Sequence, residues 1–310
     1  MTDVAIRADR LTKRYGDTLA VVGVDLAIPR GQFFGLLGPN GAGKTSTIHM
    51  LSTLIRPTSG EASVAGYSVH TERLAVRRSI GVVFQDPALD RTLSVAENLR
   101  FAGLLNDLSR SEIKRRSTEL LELFGLSEKR DHPVSALSGG MRRTLDIARG
   151  VIHQPQILFL DEPTIGLDLP NRRAIWRYVT GLRARLGITV FLTTHYLEEA
   201  VDCDEVAFLS SGRIVRSGHP RALIEQLGRY IVEVETDNPA ELAEQFAPRL
   251  GAALIEVDCV QFRCNKEPAE LASLQAELAV SARAVRWRRP NLNDVFLWVN
   301  QTGMSQKRAA

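Results

Sequence analysis

The run Gly38-Pro39-Asn40-Gly41-Ala42-Gly43-Lys44-Thr45-Ser46, preceded by the apolar stretch Phe33-Phe34-Gly35-Leu36-Leu37, leaves few folds open. It reads as a strand, a phosphate-binding loop and a helix. Glycines at 38, 41 and 43 let successive backbone N–H groups turn inward onto the oxygens of a nucleotide's phosphates. Lys44 places a point charge on the β- and γ-phosphates, and Thr45 offers a hydroxyl to Mg²⁺. The helix that begins near Gly43 aims its positive end at the anion. A glycine-rich turn with no ligand is the plainer reading, and the strand in front of it argues against that.

Ahead of the loop, Val4 to Asp9 and Leu19 to Ile28 alternate as strands around the turn Tyr15-Gly16-Asp17, which predicts an antiparallel flap. Two readings stand for Tyr15, a ring that stacks on adenine and a core or edge tyrosine. After the loop, a helix from Thr45 to Leu54 stops at Arg56-Pro57-Thr58-Ser59-Gly60, and Glu61 to Val69 reads as an edge strand or hairpin. Ile80 to Phe84 is a short buried strand ending at Gln85. That amide falls at a strand's carboxyl end, where ligands bind in open α/β sheets, although a loop glutamine with partners of its own fits as well.

From Asp86 to Gln154 the pattern turns helical, with Val95 to Leu105 and then Ser109 to Phe124, the second opened by the capping pair Ser109 and Glu112. In Leu137-Ser138-Gly139-Gly140-Met141-Arg142-Arg143 the glycines start a helix whose Leu145, Ile147, Ala148, Val151 and Ile152 face inward. Ile157-Leu158-Phe159-Leu160-Asp161-Glu162 then passes from four apolar residues to two carboxylates, a buried parallel strand with acids at its carboxyl end. Asp161 suits a direct or outer-sphere partner of Mg²⁺, and Glu162 a base that orients water. Asp168 opens a loop before a helix from Asn171 to Leu186. The strand Ile188 to Thr194 ends at His195, which lies beside a γ-phosphate if the strands are neighbours and is structural otherwise.

A hairpin of Glu205 to Leu209 and Arg213 to Val215 and a helix from His219 to Leu227, capped by Gly228, close the first domain. The remainder is read as strand Tyr230 to Glu235, helix Pro239 to Leu250, strands Ala253 to Val257 and Val260 to Cys264, helix Pro268 to Leu278 and strand Arg283 to Arg288. That order is βαββαβ, the ferredoxin-like plan. Ile231, Val234, Leu242, Phe246, Leu254, Val260, Leu271, Leu274, Val285, Phe296 and Leu297 supply it with a core. A helix from Leu292 to Val299 follows, and the polar tail 301–310 is expected to be disordered.

Composition narrows the function. A length of 310 residues allows one large and one small domain, and a net charge of +3 with basic residues scattered among acidic ones argues against nucleic acid. No apolar run reaches eighteen residues and the N-terminus has no signal-peptide pattern, so the chain is expected on the cytoplasmic side. Cys203, Cys259 and Cys264 read as buried structural thiols. Asn265-Lys266-Glu267-Pro268 has the beginning of a guanine-reading motif without its final Asp.

Taken together, these residues resemble the nucleotide-binding subunit of ABC transporters over Val4 to Gly228. Leu137-Ser138-Gly139-Gly140 is similar to the ABC signature, which other phosphate-loop families lack. The motif order also fits: Walker A at 38–45, Q-loop at Gln85, signature, Walker B at Ile157 to Asp161 with Glu162, D-loop at Gly166 to Asp168, switch His195. Where the family carries Gln after the signature glycines, this chain has Met141, then Arg142-Arg143. That run resembles the daunorubicin-resistance type of exporter ATPase and Nod-factor exporters, as does Arg289-Pro290-Asn291-Leu292-Asn293-Asp294-Val295-Phe296-Leu297.

The resemblance implies an α/β phosphate-loop NTPase of the ABC ATPase kind over 1–228, with an antiparallel β subdomain and a helical subdomain at about 86–154. A small α+β ferredoxin-like domain over 229–300 would follow. ATP and Mg²⁺ are the implied cofactors. Lys44, Gln85, Glu162 and His195 would serve catalysis and Thr45, Gln85 and Asp161 the metal. Tyr15, Gly38, Pro39, Asn40, Gly41, Ala42, Gly43, Lys44, Thr45, Ser46, Ser138, Gly139, Gly140 and Asp168 would contact nucleotide. The implied partners are a second copy, head to tail, and a separate transmembrane permease docking near Gln85, at the cytoplasmic face of the membrane. An ABC exporter powering efflux of a drug-like, lipid or lipo-oligosaccharide substrate is the leading expectation. An importer ATPase or a soluble non-transport ABC ATPase is the alternative.

Overall fold

A computed structural model describes residues 3–299, apart from the side chains at 268, 269, 271 and 272. The expected core residue Leu271 and the tail 301–310 thus lie outside the described residues. The chain divides into two units, one running to His195 and including Cys203–Ile214, the other comprising Tyr196–Asp202 and the chain from Val215 onward.

In the first unit, β1 (Val4–Tyr15) and β2 (Thr18–Pro29) pair as a long antiparallel hairpin. β1 continues well past the expected end at Asp9, because Arg10 takes a left-handed φ of 47° and the ladder shifts register there, which breaks the alternation that marks a strand in sequence. β3 (Phe33–Leu37) is buried at every residue and delivers the loop from which α1 (Lys44–Leu51) rises. β4 (Ser59–Val64) and β5 (Tyr67–Ser68) complete a sheet of order β2-β1-β4-β5. The sequence pattern missed α2 (Arg73–Ser79), which buries only Val76 and Ser79 and is too short to show a helical period.

β6 (Ile80–Val83) leads into α3 (Val95–Leu105), α4 (Arg110–Leu123) and α5 (Gly139–Val151). The expected capping box at Ser109 and Glu112 is formed, and Ser94 with Glu97 makes a second one on α3. β7 (Ile157–Asp161), α6 (Leu169–Leu186), β8 (Thr189–Thr194), β9 (Glu205–Ser210) and β10 (Arg213–Gly218) follow. The central sheet has the order β10-β9-β3-β8-β7-β6. β9 turns into β10 through Ser211 and Gly212, both at positive φ (48° and 78°), the primed turn that matches strand twist. From β9 to β6 the pairing is parallel, with Leu37 opposite Thr194, Asp161 opposite Thr193 and Val83 opposite Leu160. Four carboxyl ends, those of β3, β8, β7 and β6, therefore meet at one edge. Ile6, Leu11, Phe34, Ile48, Met50, Phe159 and Phe191 lie in one apolar cluster shared by the two sheets and α1.

α5 lies close against β6. A Cβ on Gly81 would come within 2.1 Å of the Gly150 carbonyl oxygen, so glycine at 81 is what allows this approach.

In the second unit, α7 (Pro220–Glu225) has Gln226 as its C-cap, so the expected cap at Gly228 lies beyond the helix end. Gly228 instead permits a close approach. At φ 101° it passes Asn265, whose Oδ1 would be 2.6 Å from a Cβ there and accepts the Arg229 N–H at 3.1 Å. Asn265 is thus a structural residue. β11 (Tyr230–Glu235), α8 (Pro239–Leu250), β12 (Ala253–Ile255), β13 (Cys259–Cys264), α9 (Pro268–Ser281) and β14 (Ala284–Arg288) build an antiparallel sheet of order β12-β13-β11-β14, the ferredoxin-like arrangement. Val232, Val234, Leu242, Phe246, Val260, Phe262, Leu274 and Leu278 form its core.

The helix 292–299 buries Leu292, Val295 and Trp298, while Leu297 is 37% exposed and Phe296 and Val285 are only half-buried. Val285, on β14, packs against the core as expected, whereas the expectation for Phe296 and Leu297 is corrected, because the inward stripe of this helix falls on the other spacing. Trp298 stacks on the Arg263 guanidinium, 4.5 Å from the ring centre. The sequence run 289–297 has a physical reason: buried Asp294 accepts both Arg288 Nη groups at 2.6 Å and the Asn291 N–H at 2.7 Å, while Glu233 accepts Arg288 Nε at 2.8 Å. These carboxylates push the Arg288 pKa up, Asp294 foremost. The three cysteines are free, Cys203 and Cys264 buried as expected and Cys259 half-buried.

Gly81→Ala should destabilise the protein by about 1–3 kcal/mol through overpacking. Gly181→Ala, on α6 with nothing within 4 Å of the new Cβ, should stabilise it by about 0.5–1 kcal/mol. Urea unfolding of both variants checks the pair, and equal midpoints would refute the close approach of α5 to β6.

Candidate active site

The shared edge of the parallel strands brings the loop after β3 against the ends of β7 and β8. Gly38 is at φ 157°, and a Cβ there would sit 2.3 Å from the Leu209 carbonyl oxygen; at Gly43, φ 105°, it would sit 2.3 Å from that of Ala20. Those two glycines let the loop thread between neighbouring backbones. Gly41, at φ 79° with open space around it, is required by conformation alone.

Lys44 is buried and its ammonium donates to the Gly38 and Pro39 carbonyls at 2.9 and 3.1 Å, while Glu162 Oε1 lies 3.1 Å away. The other oxygen of Glu162 lies 3.0 Å from His195 Nδ1, placed to accept an N–H from the ring. Loop lysine, strand-end carboxylate and strand-end histidine therefore form one chain of contacts. Glu162 itself takes the left-handed φ of 46°, held by its N–H bonding the Thr193 carbonyl at 3.0 Å and the Thr193 hydroxyl at 3.1 Å. Such a backbone costs on the order of 1–3 kcal/mol and turns the carboxylate across the edge instead of along the strand. Thr193 also donates to Asp161 Oδ1 at 2.5 Å, and Thr45 Oγ1 donates to the same oxygen at 3.2 Å.

A cleft of about 390 Å³ opens here, lined by Asn40, Gly41, Gly43, Lys44, Thr45 and Ser46 with Gln85 and Glu162. Its wall offers backbone N–H donors, one ammonium and one carboxylate, which can bind an anionic phosphate and hold a water against it. Thr45, Asp161 and Gln85 supply hydroxyl, carboxylate and amide oxygens, a hard donor set with a single charge that fits Mg²⁺ carried in with phosphate oxygens. Tyr15 is 47% exposed, its hydroxyl 3.4 Å from Ser46 Oγ and Lys13 Nζ 5.0 Å from its ring centre, so it is a surface ring beside the loop and not a core residue.

Ser138, Gly139, Gly140 and Asp168 do not line this cleft. Ser138 caps α5, its Oγ accepting the Met141 N–H at 3.2 Å, and Gly139 faces open space. Asp168 is the cap of α6 and not the opening of a loop: it accepts from Asn171 N and Nδ2 at 3.0 and 2.7 Å. Asn171 in turn reaches Gly140, where a Cβ would lie 2.3 Å from its Oδ1. The two motifs thus form a second cluster, linked through a residue that no sequence motif singles out.

Two further residues of the site are weakly marked in sequence. Thr193 reads there as strand filler, and a β-branched hydroxyl two residues before His195 is the available signal. Arg143, visible only as part of a departure from pattern, is 4% exposed and donates to Asp161 O at 3.2 Å and Glu162 O at 3.1 Å. Burial pulls its pKa down, opposed by Asp146 and Asp161, and burial pushes that of Asp146 up.

A family model described as "ABC transporter" matches residues 21–165. The chain is 39% identical to the daunorubicin resistance ATP-binding protein DrrA3 of Streptomyces coeruleorubidus, over all of both chains. It is 40% identical to the Nod factor export ATP-binding protein I of Sinorhizobium fredii (strain NBRC 101917 / NGR234), over 96% of this chain and 86% of the relative. Among solved structures it resembles cbiO1 of Clostridium perfringens, a part of the ABC transporter complex cbiONQ (TM-score 0.67, 28% identity, 80% of this chain and 96% of that one). It also resembles the dimeric ATP-binding cassette MJ0796 bound to ADP and Pi in a post-hydrolysis state (TM-score 0.64, 28% identity, 69% and 98%).

Thr193→Val keeps the strand's shape and removes one hydroxyl shared by Asp161 and the Glu162 N–H. Steady-state ATP hydrolysis should fall about tenfold or more at nearly unchanged KM, since a hydrogen bond to a charged group is worth roughly 1.5–3 kcal/mol. A wild-type rate would mean that Thr193 orients nothing.

Proposed function

Because this chain belongs to the ABC transporter family and is an ATPase cassette of it, we propose that it powers an exporter. In this proposal the loop 38–46 holds the phosphates of ATP and Glu162 orients the attacking water. The observation that carries this reading is the Glu162 carboxylate suspended between Lys44 Nζ at 3.1 Å and His195 Nδ1 at 3.0 Å. Lys44 is the group that moves from carbonyls to phosphate when nucleotide enters. His195 fixes the second oxygen of Glu162, so the carboxylate keeps one orientation while a water loses a proton to it. Mg²⁺, held by Thr45, Asp161 and Gln85, supplies charge neutralisation on the phosphates when bound.

Ser138 and Gly139 belong, in this reading, to the opposite nucleotide of a head-to-tail pair of copies. Ser138 Oγ accepts the Met141 N–H, a contact that leaves its own O–H to donate outward. Gly139 has room for an approaching phosphate. The dimeric MJ0796 neighbour supports such a pair. ATP would hold the two copies together through contacts made only in the closed state.

The relatives' names, daunorubicin resistance and Nod factor export, point to a drug-like or lipo-oligosaccharide cargo crossing through a separate permease. Among the described residues no helix is long and apolar enough to cross a membrane. We place the subunit at the cytoplasmic face, with the permease docked near Gln85. The ferredoxin-like domain, which has a core of its own, is proposed as a tether that keeps two copies near each other when ATP has left.

Glu162→Gln should bind ATP normally, lower turnover by at least about a hundredfold and prolong the ATP-bound dimer. Phosphate release at the wild-type rate, with the membrane subunit present, would remove Glu162 from this role. Removal of residues from Arg229 onward should make turnover depend more steeply on protein concentration. If rate per subunit and oligomeric state stay the same across dilutions, the tether is ruled out.

A further inference from the structure

Arg143 lies in the second turn of α5, the helix capped by Ser138, and the hydrogen bonds of its guanidinium go to backbone carbonyls. Nε donates to Pro163 O at 2.6 Å, Nη2 to Asp161 O and Glu162 O at 3.2 and 3.1 Å, and Nη1 to Phe84 O and, at 3.4 Å, Gln85 O. Those five carbonyls belong to two segments, the chain leaving β6 toward Gln85 and the turn leaving β7 through Glu162. Strand ends of this kind have run out of ladder partners, and a planar fork of five donors can satisfy both at once.

The same turn contains a non-glycine residue of the site in the left-handed region. Glu162 at φ 46° has its N–H held by Thr193 from one side, while Arg143 holds its own carbonyl and those before and after it from the other. Asp146, one turn along α5, is buried with Oδ2 3.7 Å from Arg143 Nη1, and its Oδ1 accepts Arg149 Nε at 3.1 Å. The fork is thereby anchored to the helix that bears it.

We propose that Arg143 is a positioning residue which locks the Gln85 segment and the Glu162 turn to the signature helix, so that the aim of the catalytic carboxylate depends on where α5 stands. This rests on the ATPase reading above. Arg143 touches no substrate atom in this scheme. A lysine in its place keeps the charge and the helix but offers a compact ammonium that cannot span both segments.

Arg143→Lys in the full chain should lower single-turnover ADP formation about tenfold or more, with KM for ATP changed less than about threefold. Built into Glu162→Gln, where the aimed carboxylate is already gone, the same change should alter the residual single-turnover rate by less than about threefold, because the two residues act as one unit. An equal fall in both backgrounds, a rise in KM with the rate preserved, or a wild-type rate would each overturn the proposal. Should Arg143→Lys not accumulate as folded protein, Asp146→Asn leaves all five donors and loosens their anchor. The single-turnover rate should then fall at least about threefold at constant KM, and a rate within twofold of wild type would overturn the proposal. Failure of the parent reading looks different: wild-type protein with Mg²⁺ and ATP would release no phosphate, or Glu162→Gln would be as active as wild type.

Discussion

The parallel register of β3, β8, β7 and β6 is the constraint on which the site depends. Their residues are nearly all buried on both faces, and a slip would draw the polar strand ends, Asp161 among them, into the apolar layer. With Leu37 fixed opposite Thr194 and Asp161 opposite Thr193, the phosphate loop, the acidic strand end and His195 have no choice but to share one edge. The catalytic geometry is thus a by-product of a hydrophobic requirement. Shape complementarity around the strands supplies the precision, and the side chains at their ends inherit it.

A second consequence is that the edge carries charge in a place short of water. Lys44 and Glu162 are 4% and 8% exposed, and removing one partner of such a pair costs roughly 3–5 kcal/mol because the other is left buried and unpaired. The loop carbonyls of Gly38 and Pro39 share the load on the ammonium, and His195 shares it on the carboxylate. Lys44 and Glu162 are therefore each held by at least two neighbours, which is how a polar network survives burial. Function draws on the same arrangement, since a phosphate can replace the carbonyls without leaving any charge alone.

The small domain solves a different problem by similar means. Its sheet carries one core under α8 and α9, and the helix 292–299 is fastened by Asp294, which is 1% exposed yet bound by Arg288 and the Asn291 N–H. A bidentate arginine to a buried carboxylate fixes the position of a short helix better than apolar contact alone. That explains a sequence run, Arg289 to Leu297, whose composition carries no chemistry of its own.

Sequence alone determined what is local. A glycine-rich turn between an apolar run and a helix can do little besides cradle phosphate, and four apolar residues ending in Asp161 and Glu162 mark a buried strand end wherever it lies. The βαββαβ order was legible for the same reason, because each element announces itself by its own period. Tertiary structure decided what depends on neighbours distant in the chain. Thr193 and Arg143 matter only because β8 and α5 come to lie against the end of β7, and nothing within a few residues of either records that meeting. Gly140 is small for Asn171, Gly81 for Gly150 and Gly228 for Asn265, contacts between segments whose separation no periodicity encodes. The left-handed backbone of Glu162 belongs to this second class as well, since a glutamate adopts it only where donors from two other segments hold its amide and its carbonyl in place.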